Sequence, residues 1–398
     1  MPAPMSTPPS NAGSVASFFS RDRIRFDRNE WAGSFGDIGT DLPLLIGMIL
    51  AAGLDPASVF IMFGVLQVAT GLFYGLPMPM QPLKAMAVIV ITQKLSGEIL
   101  FGGGLAIGII MLALTITGAL GALAKFIPRC VVRGLQFGLG LSLASLALRT
   151  YVPALGAEGY ALAAAGFLIM VALWGNRRLP AGLFVIGLGL GYALLFKFDA
   201  EAVADGMGLA LPQVNVPTLD AVLTGLFVLA LPQIPLSLGN SVIATRQTIE
   251  DLFPQRRVSI TRIGTTYSIV NLIVPFFSGV PVCHGCGGLA GHYALGARTG
   301  GSVVIYGGMY LIVGLLFSRV SSEVLQVFPL PILGVVLLFE ALVLLRFIQD
   351  QASSKADLTL ALLVALMAFG LPQGYVIGLL IGTAIYYISK RRPLLTHE

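Results

Sequence analysis

Apolar residues fall in blocks of about 20, the length that crosses a hydrocarbon core about 30 Å thick, and brief polar breaks part these blocks along nearly the whole chain. The pattern predicts about fourteen spans, at 31–52, 56–75, 79–94, 101–124, 134–150, 158–174, 180–198, 218–243, 259–277, 281–295, 301–318, 324–345, 357–370 and 372–389. The third and tenth are the weakest as full crossings, because proline and glycine interrupt them. Composition agrees with a bilayer setting. Of 398 residues 56% are hydrophobic and 11% charged, and the mean hydropathy is +0.88. Soluble globular domains do not carry that much apolar surface.

The basic residues test the order of the spans, since cytoplasmic loops hold the excess of Lys and Arg. With the N-terminus inside, 19 of 24 fall on the cytoplasmic side, in the tail, Lys125 to Arg133, Arg177 and Arg178, Arg246 to Arg262, Arg298, Arg346, Lys355 and Lys390 to Arg392. Lys94, Arg149, Lys197 and Arg319 fall outside, and Lys84 stands within a span. The expected organisation is a cytoplasmic tail (1–30), a first set of seven spans (31–198), an external loop (199–217), a second set of seven (218–389) and a second cytoplasmic tail (390–398). The first tail has no apolar core or cleavage site of a signal peptide. The protein is thus expected to be multi-pass in a cell inner membrane with both termini cytoplasmic. Its basic excess is accounted for by topology, so nucleic acid is not an expected partner.

Seven spans plus seven suits an inverted repeat, which needs an odd number in each half. Ser34-Phe35-Gly36-Asp37 is similar to Ser237-Leu238-Gly239-Asn240 at an offset of 203 residues. The same offset carries Gln81 onto His284, in the two least regular segments of the chain: Leu76 to Lys84 with its three prolines, and Gly279 to Gly288 with its glycines. Helices can begin only after these breaks. Irregular backbone at membrane depth is tolerated where it is buried or lines a cavity, so matched interruptions predict a central site faced by two half-helix N-termini. Free amides and about half a positive charge at each favour an anion.

Lys84, in the first turn of one half-helix, opposes that dipole and needs a negative neighbour: Asp37, Asp41 or a bound anion. A purely structural pairing with either aspartate remains open. Asp37 and Asp41, four residues apart on one face of the first span, are candidate proton carriers or structural partners. His284 sits at the second break and His292 deeper in that span, where each is either functional or a hydrogen-bond partner of a neighbouring helix. Cys283-His284-Gly285-Cys286 has the ligand types of a zinc site, but closed zinc sites belong to aqueous modules, so no metal or other cofactor is expected. Three cysteines make no disulfide framework. The pairs Gly104/Gly108, Gly134/Gly138 and Gly378/Gly382 are read as helix packing.

Five stretches carry a family resemblance: Gly36 to Pro43, Pro79 to Ala85, Leu231 to Leu236, Asn240 to Ala244, and Cys283 through Gly300. They resemble the molybdate transporter family related to the SulP sulfate permeases, over residues 31 to 389. The resemblance implies an all-α polytopic membrane protein of the uracil permease and sulfate permease fold. Spans 1–4 and 8–11 would form a core domain, spans 5–7 and 12–14 a gate domain, and the half-helices of spans 3 and 10 would hold the substrate. The chain ends about nine residues after the last span, so the STAS domain of sulfate permeases is expected to be absent.

The function so implied is secondary active import of molybdate, proton-coupled, by alternating access. Amides at 83–86 and 285–289 (Gly285, Gly287 and Gly288 among them) would hold the oxyanion, and Lys84 would supply counter-charge. Thr40, Gln81, Asn240 and His284 would donate hydrogen bonds, and Asp37 or Asp41 would carry the proton. Tungstate and sulfate remain open as further ligands, and a sulfate transporter or an anion channel of the same fold as alternatives. A homodimer is the partner the resemblance suggests. His-Glu-x-x-His, Gly-x-Ser-x-Gly and Walker A motifs are lacking, so an enzyme is not expected.

Overall fold

The structure, a computed structural model, describes residues 22–174, 176, 181–197, 208–316 and 328–391. The expected tails up to Arg21 and from Arg392, and residues 199–207 of the external loop, lie outside the described residues.

Local chemistry sets the helix ends. In place of one first span there are two helices, α1 (Arg28–Gly33) and α2 (Ile38–Ala52), parted by Ser34 to Asp37. Asp55 accepts the amide of Ser58 at 2.8 Å and Pro56 fills the first helical position of α3 (Pro56–Tyr74), which ends at Gly75 with φ +62°. Then three prolines hold the chain extended as β1 (Met80–Pro82), and helix resumes only at Lys84 in α4 (Lys84–Gln93). There follow α5 (Gly97–Ile116), α6 (Leu120–Phe126), α7 (Arg129–Leu146), α8 (Gly156–Ala172) and α9 (Ala181–Phe196).

The second half opens with α10 (Leu219–Leu252), which widens to π geometry at Leu226–Ala230 and Ser237–Ala244. Pro232 and Pro235 lie between these two segments, so the regular ladder is already interrupted there. After α11 (Ile260–Ile273) comes β2 (Val282–His284), then α12 (Cys286–Ala294), α13 (Gly301–Leu316), α14 (Leu330–Arg346), α15 (Lys355–Gly370) and α16 (Gly374–Arg391). Among the described residues six helices are long and apolar enough to cross a membrane, and shorter apolar helices, α2, α4, α9 and α13 among them, pack with them.

The two strands pair antiparallel in the register Met80–His284, Gln81–Cys283 and Pro82–Val282. They form a ribbon buried among helices, and both half-helices start from it. Each strand is clamped by a carboxamide from the helix before it. Gln67 of α3 takes the Met80 amide at 2.9 Å and donates to the Met80 carbonyl at 2.7 Å; Asn271 of α11 does the same for Val282 at 2.9 and 2.7 Å. Both clamps are fully buried. A buried backbone group without a partner is costly, so these two amides are what makes an interrupted helix tolerable at this depth.

Packing follows the small residues. Gly64 and Gly71 of α3 lie against Gly307 and Gly300 at α13: a Cβ on Gly71 would stand 2.7 Å from the Gly300 carbonyl, and one on Gly307 2.6 Å from that of Gly64. Gly104 and Gly108 of α5 face Pro281 and Asn271, and Gly134 and Gly138 of α7 face α15 at Ala361 and Ala368. The closely packed pairs form two sets. One joins α3 with α13 and α5 with α10 and α11; the other joins α7 with α14 and α15, and α15 with α16. Between the sets, α2 meets α14 and α9.

Candidate functional site

The strand ribbon delivers Gln81 and the first turns of α4 and α12 to one place. Gln81 donates from Nε2 to both oxygens of Asp37, at 2.7 and 2.8 Å. Its side chain lies over Gly285, where an added Cβ would come within 1.6 Å of Oε1, and the Asp37 carboxylate lies over Gly288, where a Cβ would be 2.1 Å from Oδ2. Glycine at both positions is therefore a requirement of close approach. Gly287 faces open space. Nearby, the Cys286 thiol donates to Asn240 Oδ1 at 3.2 Å, from the second π segment of α10.

The Lys84 ammonium is ion-paired with Glu340 of α14, a residue that sequence reasoning did not single out. This corrects the expectation that Asp37 or Asp41 is its partner. Thr40 Oγ1 donates to the other Glu340 oxygen at 3.4 Å. A signal for Glu340 existed: it is a lone acid in an apolar span, as Lys84 is a lone base, and isolated intramembrane charges of opposite sign are candidates for one another.

Other expectations need correction. The amides at the start of α4 are not free: Leu83 donates to the Pro281 carbonyl at 3.0 Å, and Ala85 and Met86 to Gln233 Oε1 at 2.9 and 3.4 Å. Gln233 caps a helix 148 residues away in sequence. Among the described residues the first turn of α12 has no side-chain cap of this kind. His284 points elsewhere. Alternation along β2 turns it away from Gln81, and its Nε2 meets Thr266 Oγ1 at 2.7 Å, with the Tyr74 ring edge-on at 5.3 Å. Asp37 and Asp41 also part company, because Asp37 precedes the helix while Asp41 lies within it, where Oδ2 accepts from Tyr306 at 3.0 Å. Asp41 Oδ1 has no partner. Tyr306 continues to Tyr310 at 3.1 Å, and His292 reaches Ser302 at 3.1 Å.

A cleft of about 200 Å³ leads to this group, lined by Phe35, Gly39, Thr40, Trp174, Gly182 and Glu340 among others. It opens where α2 begins, α8 ends and α9 begins. Glu340 lines it and Lys84 does not, so the carboxylate stands between the cleft and the ammonium. The arrangement collects one buried cation, an uncapped helix start, a threonine and an amide around a polar recess, with a carboxylate at its mouth. That is a set of groups able to receive a small anion and exchange it against an internal one.

The fold has solved counterparts. Murine Slc26a9, an anion transporter in the inward-facing state, aligns with a TM-score of 0.70 at 13% identity, covering 95% of this chain and 70% of that one. The overall structure of SLC26A9 gives 0.65 at 13%, covering 93% and 66%. The transmembrane domain of the cyanobacterial bicarbonate transporter BicA gives 0.59 at 17%, covering 87% and 99%. In sequence, Molybdate transporter 2 of Arabidopsis thaliana is 32% identical over 94% of this chain and 90% of its own length, and Molybdate transporter 1 of that plant 29% over 90% and 88%. Molybdate transporter 1 of Chlamydomonas reinhardtii is 25% identical over 88% and 90%. The profile described as "Molybdate transporter of MFS superfamily" matches residues 29–143 and 225–344, a span that takes in Asp37, Gln81, Lys84, Asn240, the Cys283 to Gly288 break and Glu340. This multi-pass membrane protein, with its paired half-helices and SLC26-like fold, belongs to the molybdate transporter family.

Proposed function

We propose that the protein imports molybdate across the cytoplasmic membrane as a proton-coupled secondary transporter. The observation that carries the reading is the joint one: membership of this family, and Lys84 beside the uncapped start of α12 at the end of a cleft. A dianion placed there meets a cation and the first-turn amides of α12 together, which offsets the loss of its hydration. Thr40, Gln81, Asn240, Gly285, Gly287 and Gly288 are the groups within this recess that would donate to or border the oxyanion. His284 would support the ribbon from its far side, and a carboxyl of the site would carry the proton.

Movement of one helix set against the other would give alternating access. On this reading the sets would be the core and the gate, with fourteen membrane segments as two inverted sevens. Strand register supports the repeat: moving the Met80–His284 pair by the 203-residue offset, up for Met80 and down for His284, turns it into the Cys283–Gln81 pair. The cleft lies at the end of the bundle that the positive-inside rule assigns to the cytoplasm, which makes this an inward-open arrangement with both termini inside.

Uptake of radiolabelled molybdate into proteoliposomes, with and without an inward proton gradient, tests the reading. Gradient-stimulated uptake blocked by tungstate and barely by sulfate or uracil is the expected result. Absence of molybdate uptake, or equal competition by sulfate, would overturn the substrate assignment.

A further inference from the structure

Glu340 has no part in the function as read from sequence, yet among the described residues it is the ion-pair partner of Lys84, the cation of the site. Its carboxylate joins Lys84 of α4 to α14, and so bridges the two helix sets, while its second oxygen accepts from Thr40 of α2. It also faces the cleft directly, so an anion arriving from that side reaches a negative charge first and the ammonium only behind it. As it stands the pair repels the ligand the recess is otherwise shaped to hold.

We propose that Glu340 is the proton-coupling group of the transporter and an internal stand-in for its substrate. Protonated, it releases the Lys84 ammonium to the oxyanion; deprotonated, it reclaims Lys84 and expels the anion. The step balances simply: one proton adds to the Glu340 carboxylate, the ion pair to Lys84 is exchanged for one between Lys84 and the tetrahedral dianion, and both ligands leave on the same side. This rests on the anion-transport reading of the same site.

Glu340 shares its surroundings with two further carboxylates that also interact with Lys84. Lys84 is its charged partner from α4, and Asp37 and Asp41 lie across the recess at the start of α2 with partners of their own in Gln81 and Tyr306. Met170 and Trp174 at the end of α8 and Gly182 and Leu183 at the start of α9 line the same cleft without a titratable group. Tyr151, between α7 and α8, packs on Gly334, well along α14. From α7, Arg129 and Arg133 pair with Asp350, beyond the end of α14.

Equilibrium binding of labelled molybdate to the purified protein, measured from about pH 5.5 to about 8.5, decides the matter alongside gradient-driven uptake. If one proton binds with each anion, wild-type affinity falls by up to about tenfold per pH unit where that proton is lost. Glu340→Gln should bind at high pH at least as well as wild type does at low pH, vary by less than about twofold over the range, and lose stimulation by a proton gradient. Glu340→Asp, which keeps the charge on a shorter stem, should keep the pH slope with tighter binding, and serves if the glutamine variant does not fold. A wild-type slope retained in Glu340→Gln, or a slope lost in Asp41→Asn or Asp37→Asn with Glu340 intact, overturns the proposal while leaving the anion site standing. No molybdate binding by wild type at any pH overturns the transport reading itself.

Discussion

Replacing Gln67 by leucine removes both hydrogen bonds that hold Met80 and leaves side-chain length almost unchanged. The two bonds, at 2.7 and 2.9 Å, serve a buried amide and a buried carbonyl. Each such group left alone costs about 1 to 3 kcal/mol, so the substitution should destabilise the protein by about 2 to 6 kcal/mol. Asn271→Leu should cost about the same at Val282, where the geometry is repeated at 2.7 and 2.9 Å. Because the strands pair with each other, the double variant should cost less than the sum, by about 0.5 to 3 kcal/mol. The assay is unfolding of purified protein in detergent by heat or by titration with SDS. Thr92→Val serves as the control, since it breaks only the bonds from Thr92 to the Val88 and Ile89 carbonyls within one helix. A single-site cost below about 0.5 kcal/mol, the range of an ordinary surface change, would refute the clamp argument. Full additivity would refute the view that the ribbon is one unit.

Gly285→Ala and Gly288→Ala each drive a methyl group into Gln81 or Asp37, and uptake should fall by about tenfold or more, a displacement worth only about 1.4 kcal/mol. Gly308→Ala of α13, away from the site and with nothing within 4 Å, should stay within about twofold of wild type in the same transport assay. Glu30 accepts amides from Arg298, Thr299 and Ser302 at 2.9 to 3.0 Å, so Glu30→Ala should lower stability in detergent by about 3 kcal/mol or more. Lys84→Met leaves Glu340 unpaired; breaking a fully buried pair costs about 3 to 5 kcal/mol, and somewhat less is expected here because the side chains are 18% and 13% exposed. Adding Glu340→Gln to it should restore stability in thermal melts without restoring uptake.

What the sequence made legible was what local chemistry decides. Three prolines before Lys84, and Gly279 and Pro281 ahead of Cys286, disfavour helix, so the two breaks follow from residue types alone, whereas Gly287 and Gly288 lie inside α12. The Ser34 to Asp37 likeness to Ser237 to Asn240 has an offset of 203 residues, and the strand register keeps the same offset. What stayed hidden was partnership at long range. Gln233, Gln67 and Asn271 read as isolated amides in apolar helices, and only the packed bundle shows that each completes a backbone gap elsewhere. Glu340 was passed over because Lys84 has acids nearer in its own half of the chain, while the one it pairs with stands 256 residues away. His284 was misjudged for a different reason: a break in a helix suggests a ligand site, but a strand has two faces, and this side chain lies on the one turned to Tyr74 and Thr266.

The contact between α3 and α13 limits how such a machine can operate. Gly64 and Gly71 mesh with Gly307 and Gly300 at two points seven residues apart, with backbone against backbone at both. A shift of either helix by a single turn would push Leu311 or Val304, which flank these glycines, into the opposing main chain. The two helices are therefore locked in length, as a toothed strip is, and strain applied at the ribbon between them travels to both ends undiminished. On the proposed transport cycle, the slip belongs elsewhere, along the seam where α2 faces α14.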